Sequence, residues 1–144
     1  MILVDAGPLI AAANRNDRHH DRCVRTLLDA QTPRLVSGLV IAEVCYMLAR
    51  DGGAAQEAAF LRSFGTGFLT AAELTPADLT RSAELVERYA DLPLGGTDAS
   101  VVALAERLGI TQVATLDTRH FRVVRPQHVA AFTLLPDDAR GRHS

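Results

Sequence analysis

The 144-residue sequence contains no lysine and no tryptophan, and it has only two cysteines, Cys23 and Cys45. Two cysteines are too few for a disulfide framework, and both lie in apolar helical patterns, so we expect reduced thiols in a cytoplasmic protein. No uninterrupted apolar run approaches the roughly 20 residues that span a membrane, and the first apolar run lacks the basic segment of a signal peptide. Because the formal net charge is −2, a nucleic-acid partner would have to bind a local arginine-rich face.

The composition and the hydrophobic pattern indicate one globular α/β domain. Hydrophobic residues make up 48% of the chain and charged residues 22%, which suits a packed core. Short apolar segments predict strands at 1–4, 34–36, 68–73, 112–116 and 130–135. Helical patterns lie between these strands, at 9–13, 22–30, 37–50, 54–64, 75–90 and 97–108. Ser37 and Thr75 are predicted N-caps, the latter with Asp78 three residues later, and Gly109 is the predicted end of its helix. This alternation predicts a mainly parallel sheet in a single domain of residues 1–135, followed by a flexible tail at 136–144.

Four acidic residues stand in apolar surroundings. Asp5 follows the first predicted strand, and Asp117 follows the fourth. Glu43 is the single charge in the helical segment 39–48, which is apolar on every side in this pattern. Asp98 lies in the first turn of a predicted helix, on its apolar face. A carboxylate that is ionised and buried alone costs several kcal/mol, so each of the four needs a partner, a proton or a metal ion.

These acids point to a divalent cation if the fold brings them together. Two carboxylates ~4 Å apart repel by about 4 kcal/mol at an effective dielectric constant of about 20. A bound cation removes this repulsion, and hard oxygen ligands without cysteine or histidine favour Mg²⁺ or Mn²⁺ over Zn²⁺. Such a centre suits phosphodiester hydrolysis, because the ion neutralises the phosphate and activates a water molecule.

Each acid also has a purely structural interpretation. Asp98 could stabilise the start of its helix, for which Thr97 is the predicted N-cap. Asp117 could form an Asx turn, and Asp5 could simply end a strand. Glu43 is the hardest to explain in this way, because an acid in the middle of an apolar helix has no capping role.

Three segments resemble the PIN-domain ribonucleases, and most closely the VapC toxins of type II toxin–antitoxin modules. They are ILVDAGPLIAAANRNDRHH at 2–20, LVSGLVIAEVCYML at 35–48 and RYADLPLGGTDASVVALAERLGITQVATLDTRHF at 88–121. The resemblance implies a three-layer α/β/α sandwich with a mainly parallel sheet. It also implies a Mg²⁺- or Mn²⁺-dependent endoribonuclease that cleaves RNA, in tRNA or rRNA.

The resemblance assigns a role to each of the four acids. Asp5 and Asp98 would hold the principal metal ion. Asp117 and Glu43 would complete the acidic pocket, through water or a second ion. A metal-activated water would attack the phosphorus and leave a 5′-phosphate and a 3′-hydroxyl. A cognate VapB-like antitoxin and a homodimer are implied as partners, and the apolar helices at 40–48 and 54–64 could form the antitoxin groove.

Other residues near these motifs have weaker assignments. The chain departs from many members at Ala6, where a Thr or Ser hydroxyl supports the site. Asp91 is better explained as a loop residue, although it could be a fifth acid. The histidines are expected to be surface or turn residues first and catalytic candidates second; they are His19, His20 and His120. Four arginines could form a positive rim for RNA; they are Arg15, Arg18, Arg119 and Arg122.

Two other functions compete with this hypothesis. A HAD-type phosphatase also begins with a strand and an aspartate, but it needs a second aspartate two residues later, where this chain has Gly7. A catalytically silent PIN-like module could bind RNA or a partner without cleaving it. The presence of all four acids argues against such a module.

Overall fold

The computed structural model describes residues 1–138, in which five parallel strands and seven helices form a three-layer α/β/α sandwich. The strands are β1 (Ile2–Val4), β2 (Arg34–Ser37), β3 (Thr70–Ala72), β4 (Gln112–Ala114) and β5 (Thr133–Leu135). The helices are α1 (Ala6–Ala13), α2 (His20–Asp29), α3 (Gly38–Asp51), α4 (Ala54–Gly65), α5 (Pro76–Arg88), α6 (Gly96–Leu108) and α7 (Thr118–Val123). The predicted fold class is confirmed.

The sheet has the strand order β3-β2-β1-β4-β5, and every neighbouring pair is parallel. Leu3 of the central strand lies opposite Leu35 on one side and Val113 on the other. The chain adds β2 and β3 on one side of β1, and then β4 and β5 on the other side. Parallel α/β sheets bind ligands at such a reversal, outside the carboxyl ends of the strands. The fold therefore directs attention to the residues that follow β1 and β4.

The core explains why the central strand is an unbroken apolar run. All three residues of β1 are fully buried, because helices cover both faces of a parallel sheet. Helix α6 is buried over 99–105, so it packs as an internal helix. Phe121 of α7 is also buried, and its ring meets that of Phe132 edge to face with centroids 6.2 Å apart.

Several predicted helix ends are confirmed in atomic detail. The Ser37 side chain accepts a hydrogen bond from the Val40 amide at the start of α3. Thr75 and Asp78 form a reciprocal capping box at the start of α5. Gly109 ends α6 in the left-handed region, at φ 70°.

Other local predictions are wrong. Thr97 is not the N-cap of α6, because Gly95 holds that position in extended conformation and the helix begins one residue before Thr97. Helix α1 begins at Ala6, three residues earlier than predicted. Helix α7 was not predicted, because six residues are too short to show a helical hydrophobic pattern.

Helix α3 is not apolar on every side in its tertiary setting, which corrects the interpretation of Glu43. Only one stripe of α3 is buried, formed by Val40, Val44 and Leu48. Glu43 and the large side chain of Tyr46 are exposed. The sequence pattern could not show this, because apolar residues also occupy the solvent-facing side of the helix.

The last described residues contact the body of the domain. Asp137 pairs with Arg22 at 3.0 Å, and Asp138 pairs with Arg122 at 2.8 Å. The rest of the predicted flexible tail, 139–144, lies outside the described residues, so the domain boundary at residue 135 stays a prediction. Within the described part of the chain, no helix is long and apolar enough to cross a lipid bilayer. Cys23 is buried, Cys45 is half-buried, and both are free thiols.

Candidate metal centre

Asp5 is the most buried of the four acids, with 5% of its surface exposed. It follows β1 directly, and its amide donates to the Ala114 carbonyl of the neighbouring strand at 2.9 Å. The Thr115 hydroxyl donates to Asp5 Oδ2 at 2.9 Å, and the same hydroxyl oxygen accepts from the Asp117 amide at 2.9 Å. Thr115 therefore joins the residues that follow β1 to those that follow β4.

Asp98 and Asp117 come from two different helix starts. Asp98 lies in the first turn of α6, and Asp117 is the N-cap of α7. The side chain of Asp98 is 16% exposed and that of Asp117 is 42% exposed. Nδ1 of His120 lies 2.8 Å from Asp98 Oδ2 and 2.9 Å from Asp117 Oδ2. These three side chains form one group whose possible ligand atoms all lie within 4.8 Å of one another.

All four predicted acids line one cavity of about 490 Å³. The other lining residues are small or apolar; they are Ala6, Gly7, Ile10 and Leu116. Asp5 and Glu43 lie on this cavity but outside the tight group of Asp98, Asp117 and His120. The fold therefore brings the four acids to one place, as the sequence hypothesis requires, with Glu43 reaching it from the exposed side of α3.

The electrostatics of the cavity disfavour four ionised carboxylates. Burial, followed by the charge of Asp98, raises the pKa of Asp5 from 3.8 to about 7. Desolvation also raises the pKa of Asp98, although the hydrogen bond from His120 opposes this rise. Desolvation and then Asp98 raise the pKa of Glu43, even though much of that residue is exposed. Burial and repulsion between carboxylates thus both raise the pKa values of Asp5, Glu43 and Asp98.

This donor set fits a hard divalent cation. Among residues 1–138, no arginine forms an ion pair with any of the four acids, and the contacts to Asp98 and Asp117 come from His120. Carboxylate oxygens are the ligands that Mg²⁺ and Mn²⁺ prefer. An added cation would return the carboxylates to their ionised form, because it replaces repulsion between like charges with attraction.

Some candidate residues are not part of the cavity. Asp91 is exposed and does not line it. Arg15, Arg18 and Arg119 are exposed, whereas Arg122 pairs with Asp138. Nδ1 of His20 lies 2.9 Å from the Ala11 carbonyl oxygen, which is a contact between helices α1 and α2.

Two residues at the site were undervalued by the sequence hypothesis. His120 was interpreted chiefly as a surface or turn residue, but it contacts Asp98 and Asp117 directly. Thr115 lies in the resembling segment 88–121 and has no role in the sequence hypothesis, but its hydroxyl donates a hydrogen bond to Asp5. The residue three positions after an N-cap lies next to the N-cap side chain. His120 holds this position relative to Asp117, so the contact could be predicted once α7 is known.

A second, apolar cavity of about 250 Å³ lies between helices α1, α2 and α4. Its lining residues are Leu9, Ala12, Ala13, Leu27, Gln56, Ala59, Phe60, Ser63, Phe68 and Leu69. Helix α4 lines this groove, whereas the apolar stripe of segment 40–48 is buried in the core. The antitoxin groove at helices 40–48 and 54–64 stays a prediction.

Comparisons with known proteins agree with this fold. Residues 2–126 match the family model of the PIN domain. The chain is 32% identical over 138 residues to Ribonuclease VapC26 of Mycobacterium tuberculosis (strain ATCC 25618 / H37Rv), and the match covers 94% of this chain and 100% of that protein. The chain belongs to the PIN-domain family, in its VapC ribonuclease branch.

Two solved structures share the fold at lower identity. One is the crystal structure of Mycobacterium tuberculosis VapC20, described as a sarcin–ricin loop cleaving toxin, with a TM-score of 0.74 and 20% identity over 78% of this chain and 87% of that one. The other is FitAcB from Neisseria gonorrhoeae, with a TM-score of 0.65 and 18% identity over 92% of this chain and 97% of that one. At these identities the likeness concerns the fold.

Proposed function

We propose that this protein is a Mg²⁺- or Mn²⁺-dependent endoribonuclease and the toxin of a type II toxin–antitoxin module. The observation that carries the proposal is the convergence of Asp5, Glu43, Asp98 and Asp117 on one cavity, with no arginine of residues 1–138 paired to any of them. Membership of the VapC ribonuclease branch supports the same activity. Asp5 and Asp98 would hold the principal ion, and Asp117 and Glu43 would complete its surroundings.

The bound cation supplies charge neutralisation at the phosphate and a more acidic water. The protein side chains hold the carboxylate oxygens in place. Thr115 fixes one oxygen of Asp5, and the buried position of Asp5 excludes bulk water from one side of the site. The exposed arginines Arg15, Arg18 and Arg119 are candidates for contacts with RNA phosphates.

The test is RNA cleavage by the purified protein. A tRNA pool and ribosomal RNA are incubated with the protein and Mn²⁺, with excess EDTA in a parallel reaction. We expect defined fragments that carry a 5′-phosphate, and no cleavage with EDTA or with Asp5→Asn or Asp98→Asn. Glu87→Gln is the matched control, because it removes an exposed carboxylate of α5 outside the cavity and should cleave like the unmodified protein.

A catalytically silent module is the alternative to this proposal. Such a module would bind RNA or a protein partner but would show no Mn²⁺-dependent cleavage of either RNA pool. Cleavage that persists in EDTA, or in both aspartate variants, would instead contradict the proposed metal-dependent mechanism. The carboxylates would then need another explanation.

The apolar groove supports the proposal of an antitoxin partner. An amphipathic segment of a VapB-like antitoxin could place its apolar side chains between α1, α2 and α4. The variant Ala59→Arg puts a charge into the groove, and Ala55→Arg changes an exposed residue of the same helix outside it. We expect only Ala59→Arg to weaken co-purification with a co-expressed VapB-like antitoxin.

The homodimer and the cytoplasmic location also stay proposals. Light scattering after size-exclusion chromatography tests the dimer directly. The two free thiols support a cytoplasmic location, because the cytoplasm keeps thiols reduced. RNA and an antitoxin would be available to the protein in the same compartment.

A further inference from the structure

His120 is placed to hold two of the four acids together. Its Nδ1 atom lies within hydrogen-bond distance of one carboxylate oxygen of Asp98 and one of Asp117, at 2.8 and 2.9 Å. Its backbone amide also donates to Asp117 Oδ1 at 3.4 Å. The side chain is 20% exposed, so water competes only partly for these contacts. One residue of α7 thus bridges the first turn of α6 and the N-cap of its own helix.

The chemistry of the contact defines what His120 does. An ionised carboxylate accepts hydrogen bonds and cannot donate them, so the proton in this bridge belongs to Nδ1. The Nδ1–H group donates to Asp98 Oδ2, and the same nitrogen lies 2.9 Å from Asp117 Oδ2, so it offsets part of the repulsion between the two carboxylates. It also sets the separation between them, because one oxygen of each carboxylate lies within 3 Å of one nitrogen atom.

His120 acts from outside the cavity. It is not among the residues that line the space where the four acids converge. Its position is set by its neighbour in the chain, since Phe121 is 1% exposed and packs against Phe132 in the core. The imidazole therefore belongs to a short helix that is anchored in the core by Phe121, and all four acids line the cavity while His120 does not.

We propose that His120 is a positioning residue that fixes the spacing of Asp98 and Asp117 for a divalent cation. This inference rests on the proposed function, since it assigns the support of the same metal site. Groups that hydrogen-bond to metal ligands typically change metal affinity or activity by about 10–100-fold when they are removed. His120 acts through the two carboxylates and does not itself contact the cation.

The experiment measures Mn²⁺ affinity directly, by calorimetry and by the electron paramagnetic resonance signal of free Mn²⁺. The variants are His120→Ala, His120→Asn and His120→Gln, and His19→Ala is the matched histidine control outside the cavity. We expect His120→Ala to bind Mn²⁺ about 10–100-fold more weakly. Asparagine carries an amide N–H close to the place of Nδ1–H, so His120→Asn should recover much of this loss. Glutamine carries its N–H one bond further out and should recover less.

Three results would overturn the inference, and they differ from one another. Equal Mn²⁺ affinity of His120→Ala and the unmodified protein would show that the bridge has no role. Pulsed resonance that detects a directly bound nitrogen on Mn²⁺ would make His120 a ligand rather than a positioning residue. If His120→Ala does not fold, the test compares the Mn²⁺ affinities of His120→Asn and His120→Gln. Equal Mn²⁺ affinities of these two variants would contradict a positioning role for His120.

The proposed function fails in a distinguishable way. If the unmodified protein binds no Mn²⁺ at all, the metal site itself is wrong, and the inference falls with it. If the unmodified protein and all variants bind Mn²⁺ equally, the metal site stands and only the role of His120 is refuted.

Discussion

The Thr115 hydroxyl donates a 2.9 Å hydrogen bond to Oδ2 of Asp5 and accepts one of the same length from the amide of Asp117. Thr115 is fully buried. One hydroxyl group therefore ties the ends of two neighbouring parallel strands at the point where the strand order reverses. Position 6 is an alanine and has no hydroxyl, and the side-chain hydrogen bond to Asp5 comes from Thr115 after the neighbouring strand.

Replacing Thr115 with valine should destabilise the protein. The change keeps the side-chain shape but leaves the Asp117 amide and a buried carboxylate oxygen without this partner, at a cost of about 1–3 kcal/mol. The measurement is the free energy of unfolding in urea, in the absence of metal. Thr97→Val is the control, since Thr97 does not cap α6, and it should lie within about 0.5 kcal/mol of the unmodified protein. Equal stability of the two variants would contradict the role of Thr115.

The metal-free protein should lose stability as the pH rises toward 7. The pKa of Asp5 is 3.8 in the reference state and about 7 in the folded protein, so between these values the folded state holds a proton that the unfolded state has released. Stability then falls with rising pH through this window, by on the order of 2–4 kcal/mol, and levels off above it.

The variant Asp5→Asn isolates this effect, because an amide does not titrate. In EDTA, the difference in unfolding free energy between Asp5→Asn and the unmodified protein should grow steadily across the same pH window. A difference that stays constant with pH would show that Asp5 titrates near its ordinary pKa.

Adding Mg²⁺ should stabilise the folded protein. A ligand that binds only the folded state adds about 2.7 kcal/mol at roughly 100 times its dissociation constant, which raises the melting temperature of a protein of this size by about 5–10 °C. The shift should be larger at about pH 8 than at about pH 6, because the carboxylates must lose their protons to bind the ion. EDTA should reverse it, and Asp98→Asn should abolish it. A shift of equal size in Asp98→Asn would place the ion elsewhere.

Gly109 should be sensitive to substitution although it has open space around it. Its φ of 70° lies in the left-handed region, and no atom would crowd an added Cβ within 4 Å. Gly109→Ala should therefore cost about 1–2 kcal/mol through backbone strain alone. Gly38→Ala is the matched control, because it adds the same methyl group in open space in the first turn of α3, where the backbone needs no positive φ. It should be neutral or stabilising in the same thermal melt.

The capping box of α5 can be tested away from the metal site. Thr75→Ala removes the side-chain acceptor of the Asp78 amide and should lower the unfolding free energy by about 1 kcal/mol. Mn²⁺ affinity should not change, because α5 does not line the acidic cavity. A loss of Mn²⁺ affinity would indicate that the start of α5 is coupled to the site. The exposed Thr80→Ala serves as the control for stability.

The sequence was sufficient to predict helix ends where the interacting residues are neighbours in the chain. The caps at Ser37 and Thr75 and the helix end at Gly109 depend on residues within one turn, so their residue types could be interpreted directly. The prediction of Thr97 as N-cap is wrong because a threonine near a helix start resembles a cap even when the helix begins at an earlier residue. Helix α7 is too short to carry a periodic pattern, so its existence depends on the packing of Phe121.

The sequence by itself determined the α/β alternation, the parallel sheet and the four acids that meet at the cavity, because strand ends and isolated charges are visible in one dimension. The tertiary structure alone decided that Glu43 reaches the cavity from an exposed helix face and that His120 bridges Asp98 and Asp117. The physical reason is that contacts between elements distant in the chain depend on how helices pack on the sheet. No local pattern of residues records that packing.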